Sequence, residues 1–385
     1  MSKKKITIDE VAKLLGINVK TLVEQYGTSE EVIKKFKNGE LQVLNEWSIY
    51  NFMEDKYILL DGNNLAHIAF HRAKSIILKN KINDYVERYS GTKPKRLIQK
   101  EAKEKVKLEN KDFKAISGMM FLVFFRKLHK HLKNFNGKFV MTWDNPGSGK
   151  NGWRCEVYSE YKSGRDYKTD PIYTVLFDGI DKLREVLEYY PIYQIGIDGM
   201  EADDILYLYS KLLRPNKVTI ISTDSDLIQI AQEFDNVTIF HPIKDCEVEI
   251  PENYDITFYK SLMGDKSDDI KGVSGFGKKK ALNAAILISE GKTPEEVFMD
   301  AVPKKIKDIK EREKIVKENV DIFKRNLKII KISNNPSLKN YNLNILKIDD
   351  DTNHVNLKKI QKFYFDHKLV SLLEEFSSIS TLFTK

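Results

Sequence analysis

The stretch Ile195–Leu227, IGIDGMEADDILYLYSKLLRPNKVTIISTDSDL, concentrates acidic residues at the start of a predicted helix and at the end of a predicted apolar strand. The five carboxylates are those of Glu201, Asp203, Asp204, Asp224 and Asp226. Carboxylates crowded beside buried elements repel one another at neutral pH, and a divalent metal ion among them would relieve that repulsion. The alternative is that they are helix caps and turn residues, because acids favour the first turn of a helix and aspartate is common in turns.

Predicted helices separate four short apolar runs that are typical of buried strands. The runs are 57–60, 138–143, 192–197 and 218–222. This alternation predicts an α/β fold with a largely parallel sheet covered by helices on both faces. Ligands of such sheets bind beyond the carboxyl ends of the strands. Acids follow all four runs, and we therefore expect a metal site at one edge of the sheet: Asp61, Asp144, Glu201 and Asp224.

The composition is that of a globular protein: of 385 residues, 41% are hydrophobic and 31% are charged. A chain of this length forms one large core or roughly two to three domains. The net charge of +8 favours a polyanionic partner. The two cysteines, Cys155 and Cys246, exclude a disulfide framework and a four-cysteine zinc site. The longest apolar run, 119–125, is too short to span a membrane, so we expect no membrane contact and a cytoplasmic location, in the host cytoplasm if a phage encodes the chain.

A glycine-rich hairpin occupies residues 261–285, SLMGDKSDDIKGVSGFGKKKALNAA. Its glycines permit a tight turn between two predicted helices, and the second helix begins near Gly277 to Lys278. The N–H groups at that helix start would bind phosphates and so hold duplex DNA without reading its bases. The residues with this predicted role are Gly272, Gly275, Gly277, Lys278, Lys279 and Lys280. The alternative is a glycine-rich turn without a ligand.

Residues 153–171, WRCEVYSEYKSGRDYKTDP, interleave tyrosines with cations, since Tyr158 and Tyr161 alternate with Arg154 and Lys162. Rings and cations together can hold single-stranded nucleic acid by stacking and by neutralising phosphates. A surface helix whose long side chains cover apolar neighbours is the alternative. The pattern makes this segment a candidate nucleic-acid contact.

Two further segments have a less specific pattern. The run Lys93–Lys114 contains nine lysine and arginine residues and few apolar ones. It predicts an exposed helix or a mobile segment with a solvated face, and contact with a DNA backbone is the alternative. Residues 1–45 resemble the two-helix core of a helix-turn-helix, which would bind DNA or protein or form a helical cap on the main domain.

Six motifs occur in the order found in the structure-specific 5′-nuclease (flap endonuclease) superfamily, between about residues 57 and 290. They are YILLDGNN, TWDN, EYKSGRD, EADD, STDSD and MGDKSDDIKGVSGFGKKKA. The segments GWRCEVYSEYKSGR and FYFDHKLVSLLEEF look most like the T-even phage ribonuclease H branch of that superfamily. The resemblance implies a PIN-like α/β fold with a central, mostly parallel sheet flanked by helices, a helical arch, and a helix–three-turn–helix subdomain.

Three domains are expected, the first from the residue pattern of the chain and the other two from the resemblance. They are a helical extension at 1–50, a catalytic domain at 51–250 with the arch at about 145–180, and a helical DNA-clamp domain at 251–385 with the helix-hairpin-helix at 271–285. The N-terminal 45 residues and the basic run at 93–114 have no counterpart in the resemblance.

The activity implied by the resemblance is Mg²⁺-dependent 5′→3′ exonuclease and flap cleavage that removes RNA primers or 5′ flaps during DNA replication. Two ions are implied, and Mn²⁺ can substitute for Mg²⁺. One ion would lie near Asp61, Asp144, Glu201 and Asp203. The second would lie near Asp204, Asp224, Asp226 and Asp265, and Asp268 matches the second acid of the MGDxxD element.

Other residues receive implied roles in handling the substrate. Lys162 and Arg165 match a basic pair that faces the scissile phosphate, with Tyr161 beside them and Arg154 as a further DNA contact. The glycine hairpin matches the duplex clamp, which in many relatives also holds K⁺. The expected partners of a monomer are DNA and RNA–DNA duplexes with 5′ ends or flaps, together with a sliding clamp or single-strand binding protein.

Three other interpretations remain open. A PIN-type ribonuclease shares the acid-lined sheet but lacks the hairpin clamp. A DNA-binding regulator or scaffold would use the N-terminal unit and have an inert nuclease core. The tail at 377–385, SSISTLFTK, would dock on a sliding clamp.

Overall fold

The structure is a computed structural model that describes residues 56–145, 152–164, 170–214, 216–339 and 355–383, with six isolated positions between 8 and 34. The strands are β1 (Lys56–Asp61), β2 (Lys138–Trp143), β3 (Ile192–Gly196), β4 (Lys217–Ile221), β5 (Val237–His241), β6 (Cys246–Glu247), β7 (Gly264–Asp265) and β8 (Ile270–Lys271). The first seven helices are α1 (Gly62–Arg88), α2 (Lys95–Lys105), α3 (Phe113–Asn134), α4 (Trp153–Val157), α5 (Tyr173–Leu187), α6 (Ala202–Leu212) and α7 (Ile228–Glu233). The remaining helices are α8 (Ile256–Met263), α9 (Lys278–Ser289), α10 (Pro294–Ala301), α11 (Ile309–Ile330), α12 (Leu357–Asp366), α13 (Val370–Glu374) and α14 (Phe376–Ser380).

Six strands form one mixed, mostly parallel sheet in the order β3-β2-β1-β4-β5-β6. β4 and β5 are parallel, with Val218 opposite Val237, whereas β6 is antiparallel to β5. β1 and β2 are buried from their second residue onward. A strand covered on both faces needs a continuous apolar run, and this is why the four apolar runs correctly predicted strands. The predicted α/β fold is confirmed.

The chain divides into two compact units. The first, the acidic unit, takes its described residues from Met1–Leu59, Asp144–Gly164 and Gly196–Asp349. Helices α8 to α11 enclose an apolar core in this unit, in which Leu262 and Phe298 are fully buried. This core supports the segment between α8 and α9, where the glycine hairpin lies.

The second unit, the helical unit, takes its described residues from Leu60–Trp143, Arg165–Ile195 and Asp350–Lys385. Its centre is a hydrogen-bonded group in which His129 Nε2 lies 3.2 Å from the Tyr190 hydroxyl and 3.1 Å from the Tyr364 hydroxyl. Burial lowers the pKa of His129 to about 4, so the ring is neutral and has one nitrogen that can accept a hydrogen bond. The Phe383 ring packs 5.0 Å from the Tyr190 ring. Phe383 of the apolar tail, for which docking on a sliding clamp was one open interpretation, therefore packs against its own unit.

Several predicted helices are confirmed with different limits. The helix predicted from Leu65 to about residue 78 is α1, which begins earlier, because Asp61 caps it by accepting a hydrogen bond from the Asn64 N–H at 2.9 Å. The basic run at 93–114 contains α2, as expected for an exposed helix. Apart from the six isolated positions, the predicted N-terminal unit lies outside the described residues, and so do residues 146–151 and 165–169 of the predicted arch. The predicted domain limits stay a prediction.

No helix in the described ranges combines the length and the apolar character that crossing a lipid bilayer requires.

Gly62, the first residue of α1, has no room for a side chain. A Cβ at this position would lie 2.7 Å from Trp143 Cε3 and 2.8 Å from the Thr142 carbonyl oxygen. We expect Gly62→Ala to lower the free energy of unfolding by about 1–3 kcal/mol, because the packed β2 must shift. Urea unfolding followed by circular dichroism measures this effect.

Gly118→Ala in α3 is the matched control for that substitution. A Cβ on Gly118 would meet only the His367 carbonyl oxygen at 3.7 Å, an ordinary contact. Alanine is the better helix former by about 1 kcal/mol, so this variant should be as stable as the wild type or more stable. Equal destabilisation by both substitutions would contradict the steric explanation.

Candidate metal centre and nucleic-acid interface

The start of α6 brings three carboxylates close to a fourth that follows β2. Glu201 is the N-cap of α6 and forms a capping box with Asp204, whose Oδ2 accepts a hydrogen bond from the Glu201 N–H at 3.2 Å. Asp203 Oδ1 accepts one from the Asp204 N–H at 2.8 Å, and Asp144 Oδ1 accepts one from the Ala202 N–H at 2.7 Å. The capping role considered as the alternative is therefore present, and the same four carboxylates form a dense group, here called the α6 cluster.

Arg154 extends from α4 into the α6 cluster. One guanidinium nitrogen donates to Glu201 Oε2 at 2.7 Å, and the other lies 3.3 Å from Asp203 Oδ2 and 3.2 Å from Asp204 Oδ1. The Nε–H group donates to the Ile329 carbonyl oxygen at 3.2 Å. Arg154 is only 4% exposed, and a buried charge requires such partners. The structure therefore places Arg154 inside the acidic unit rather than on a surface that could contact DNA.

Burial and charge oppose each other throughout the α6 cluster. Burial by itself lowers the pKa of Arg154, but Asp203 and its acidic neighbours outweigh this effect and hold that pKa well above its usual value. Burial raises the pKa of Asp203 well above normal and also raises the pKa of Asp144. Burial alone would also raise the pKa of Glu201, but the positive charges of Lys162 and Arg154 outweigh burial and lower the pKa of this carboxyl. A neighbouring cation thus opposes the effect of burial on these pKa values, and only at Glu201 does it outweigh that effect.

Tyr161 and Lys162 contact the same cluster through Glu201. The Lys162 ammonium group forms an ion pair with Glu201 Oε1, and the Tyr161 hydroxyl donates to Glu201 Oε2 at 3.1 Å. Lys162 has a left-handed backbone with φ of 53°, and its N–H donates to the Asp268 carbonyl oxygen at 2.9 Å. This unusual conformation is stabilised by the neighbouring loop, so the predicted substrate-facing lysine has a fixed position in the acidic unit.

Four more predicted ligands surround Lys260, and we call this group the Lys260 cluster. The Lys260 ammonium group forms an ion pair with Asp226, and Asp224 Oδ1 accepts a hydrogen bond from the Asp226 N–H at 2.8 Å. Burial lowers the pKa of Lys260, and the charges of three carboxylates oppose this shift: Asp224, Asp265 and Asp268. Lys260 is therefore the common cation of the four acids.

The donor chemistry of both clusters fits a divalent metal ion, because Mg²⁺ and Mn²⁺ prefer carboxylate oxygens. The side chains are not positioned as metal ligands, however. In the described part of the chain, no group of three or more His, Cys, Asp or Glu residues is placed to hold a metal ion. Arg154 and Lys260 lie among the carboxylates instead. The chain's own cations thus offset part of the negative charge of both clusters.

The glycine hairpin has the backbone geometry that its sequence predicts. A Cβ on Gly264 would lie 2.3 Å from the Gly272 nitrogen, so the antiparallel pair β7 and β8 can form only without a side chain there. Gly275 has a φ of 83°, which favours glycine. α9 begins at Lys278 after the N-cap Gly277, which provides no side-chain cap for the first N–H groups. Lys278–Lys280 are exposed beside this helix start, as a phosphate-binding end requires.

Two predicted residues cannot be placed in these clusters. Arg165, the expected partner of Lys162, lies outside the described residues. Asp61 belongs to the helical unit, where it is buried and caps α1. The roles predicted for both residues stay predictions.

The sequence analysis missed three residues that hold the acidic unit together. Lys260 could have been suspected, because a lysine in the helix immediately before Asp265 and Asp268 places a cation near them. Asn326 is fully buried, and its Nδ2 donates to the carbonyl oxygens of Ser261 and Lys271, which lie 65 and 55 residues away. Such distant partners leave no local sequence signal.

Asp269 is the third missed residue. Its Oδ2 accepts a hydrogen bond from the Gly164 N–H at 2.7 Å, and its carboxylate would lie 3.0 Å from a Cβ on Gly164. Asp269 therefore fixes the segment that carries Tyr161 and Lys162. Its place in the SDD triplet is the only sequence signal for this role.

The sequence of this chain is similar to those of known proteins. Residues 56–258 match the family model for the 5′-3′ exonuclease, N-terminal resolvase-like domain. A 5′-3′ exonuclease of Mycoplasmopsis pulmonis is 29% identical over 335 residues, which cover 80% of this chain and 94% of the relative. DNA polymerase I of Borreliella burgdorferi is 30% identical over 263 residues, which cover 63% of this chain and 27% of the polymerase.

Solved structures from bacteriophage T5 are similar at low sequence identity. The T5 D15 protein crystallised with metal ions has a TM-score of 0.48 and 18% identity, covering 82% of this chain and 99% of its own. A T5 flap endonuclease variant in complex with DNA and metal ions has a TM-score of 0.47 and 19% identity, covering 83% and 99%. The family assignment follows from the sequence match, since the matched segment is more than half of the chain. The chain is a member of the 5′-3′ exonuclease family of nucleases.

Proposed function

We propose that the chain is a Mg²⁺-dependent, structure-specific 5′→3′ exonuclease and flap endonuclease that removes RNA primers or 5′ flaps during DNA replication. The observation that carries this proposal is the concentration of eight predicted ligand carboxylates in the acidic unit. They are Asp144, Glu201, Asp203, Asp204, Asp224, Asp226, Asp265 and Asp268. Stability alone does not explain such a group, because crowded like charges repel one another and its two buried members, Glu201 and Asp204, also cost desolvation energy.

Two divalent ions would be held by these carboxylates. The first set of ligands is Asp144, Glu201 and Asp203, and the second is Asp204, Asp224, Asp226 and Asp265, with Asp268 beside it. When bound, the ions supply an activated water nucleophile and stabilise charge on the leaving oxygen. The products would be a 5′-phosphate and a 3′-hydroxyl.

The chain's own cations have separate tasks in this mechanism. The Lys162 ammonium group would neutralise the scissile phosphate in the transition state. Tyr161 would keep Glu201 oriented through its hydroxyl hydrogen bond. The start of α9, with Lys278–Lys280 and a K⁺ ion at the hairpin, would hold the duplex by its backbone phosphates.

The substrate assignment is tested by mapping products from 5′-labelled RNA–DNA duplexes and 5′-flap duplexes with Mg²⁺. Release of short 5′ products from both substrates supports the proposal. Cleavage of single-stranded RNA alone would instead indicate a PIN-type ribonuclease, and no Mg²⁺-dependent cleavage would indicate a DNA-binding scaffold.

Asp224→Asn should abolish Mg²⁺-dependent cleavage of a 5′ flap, because the amide cannot replace a charged ligand. Duplex binding should survive, since the substitution leaves the start of α9 and Lys278–Lys280 unchanged. Single-turnover cleavage and fluorescence anisotropy measure the two effects. Asp235→Asn, at an exposed aspartate of the same unit, is the control and should cleave normally. Near-normal cleavage by Asp224→Asn would contradict the assignment of Asp224 as a metal ligand.

Arg154→Met should make the stability of the acidic unit depend on metal. Removing one partner from a buried ion pair costs about 3–5 kcal/mol, so the unfolding midpoint in EDTA should fall. A divalent ion bound by the carboxylates that have lost Arg154 would replace the missing positive charge. Mg²⁺ should therefore raise the unfolding midpoint more in this variant than in the wild type. Thermal unfolding with EDTA and with Mg²⁺ measures both effects.

Arg312→Met is the matched control for this experiment. The Arg312 guanidinium donates to the carbonyl oxygens of Ile306 and Met299 and to no carboxylate. Its loss should destabilise the protein equally with and without Mg²⁺. The explanation fails if Mg²⁺ stabilises Arg154→Met no more than it stabilises the wild type.

Lys278→Ala combined with Lys280→Ala should weaken duplex binding and reduce its salt dependence. Each lost phosphate contact lowers the slope of log affinity against log salt by about 0.9, so two contacts should lower it by about 2. Anisotropy titrations at several salt concentrations measure the slope. The control is the pair Lys304→Ala and Lys305→Ala, two exposed lysines of the same unit. Unchanged affinity in the first pair would mean that the hairpin is only a turn.

A further inference from the structure

The basic segment Lys93–Lys107 carries a large share of the positive charge of the chain. It contains seven lysine and arginine residues and two glutamates, a net charge of +5 where the whole chain has +8. The proposed nuclease site and hairpin use none of these cations. The segment includes α2, which lies in the helical unit.

α2 has one buried face and one basic face. Ile98 and Ala102 are buried, one helical turn apart, and α2 packs against α1. Three exposed cations, here called the α2 stripe, lie on the opposite side of the helix at positions i, i+4 and i+7: Arg96, Lys100 and Lys103. The buried pair therefore orients the helix so that the stripe faces solvent.

Neither acid of the segment forms an ion pair with the α2 stripe, although Glu104 is exposed on the same side of the helix, four residues after Lys100. Glu101 forms ion pairs with Lys93, at 3.1 Å, and with Lys105, at 2.5 Å, and neither lysine belongs to the stripe. In the described part of the chain, no ion pair involves any of the three stripe residues. Further lysines, among them Lys79 and Lys95, line a groove of about 900 Å³ between α1 and α2.

We propose that the α2 stripe binds the phosphate backbone of a nucleic acid, as a contact additional to the hairpin. The helix rises about 1.5 Å per residue, so the seven steps from Arg96 to Lys103 span about 10 Å. A duplex strand carries one charge per about 3.4 Å of its axis, so three cations match about three phosphates. The identification of the polyanion as a nucleic acid rests on the proposed nuclease function.

A protein partner fits the α2 stripe less well. The cores of protein interfaces are depleted in lysine and enriched in aromatic residues, and the stripe offers only long, flexible cations. Contacts of this kind position a backbone without reading its sequence. The stripe should thus add affinity and salt dependence without adding base preference.

The test is the triple variant Arg96→Ala, Lys100→Ala and Lys103→Ala. Fluorescence anisotropy in EDTA, where Mg²⁺-dependent cleavage cannot occur, measures binding to a 5′-flap duplex at 50 to 200 mM salt, roughly the range over which phosphate contacts alter affinity most. We expect affinity to fall at least about a hundredfold at the lower salt and the salt slope to decrease by about 2 to 3. The residues are exposed, so the unfolding midpoint should not change.

The control removes the same charge with the same spacing from α11. Its residues are Lys310, Lys314 and Lys317, which are exposed at i, i+4 and i+7 on a face that also carries Glu313 and Asp321. Replacing these three lysines by alanine should change affinity less than twofold. Equal losses in both variants would overturn the proposal, because net charge alone would then explain the effect.

An unchanged affinity of the α2 variant would also overturn the proposal and would leave an acidic protein as the ligand of the stripe. The result is independent of the proposed catalytic activity, since binding is measured without metal. A wild-type protein that binds the duplex but does not cleave it with Mg²⁺ would refute the nuclease mechanism and leave the α2 contact intact. Mixed-sequence and A·T-rich duplexes of equal length should give equal affinities.

Discussion

Neutralisation of crowded carboxylates is the constraint on which the acidic unit depends. Asp144, Glu201, Asp203 and Asp204 come from two separate strand ends and would repel one another without a cation. Arg154 supplies that cation from α4, and its Nε–H is bound to the carbonyl oxygen of Ile329 at the end of α11. One buried guanidinium therefore joins three distant segments, and its removal leaves charges that burial makes costly.

The same electrostatic requirement connects structure with the proposed chemistry. A group of carboxylates that needs positive charge is suited to divalent ions, and two clusters of this kind suit the two-ion hydrolysis of a phosphodiester. Lysine and arginine side chains in the clusters provide charge in the absence of metal. Stability and catalysis thus use the same acids, so substitutions there should affect both.

The exposed cations of α2 and α9 have a different role from the cations of the acidic clusters. Lys278–Lys280 stand at the exposed start of α9, and α2 presents a basic stripe on its solvent face. These cations lie on helices whose opposite faces are buried, so packing determines where the charge points. An acidic interior with basic surfaces is the distribution expected of an enzyme that binds a polyanion through metal ions.

Much of this arrangement was predictable from local pattern. Continuous apolar runs predicted β1 to β4, since a strand buried on both faces must be apolar throughout. The sequence of the glycine hairpin predicted its backbone geometry, because Gly264 and Gly275 occupy positions that exclude or disfavour a side chain. Acids at strand ends predicted the α6 cluster in part, since Asp144 and Glu201 lie together there, whereas Asp61 caps α1 and Asp224 lies in the Lys260 cluster.

The tertiary structure alone decided which cation meets which acid. Arg154 was expected to contact DNA, and no local pattern shows that its partners are about 50 residues further along the chain. Lys260 and Asn326 were missed for the same reason. Sequence by itself determined the strands, the hairpin and the supply of carboxylates, because these depend on near neighbours. Folding determined the ion pairs, because charge pairing depends on distance in space and on burial.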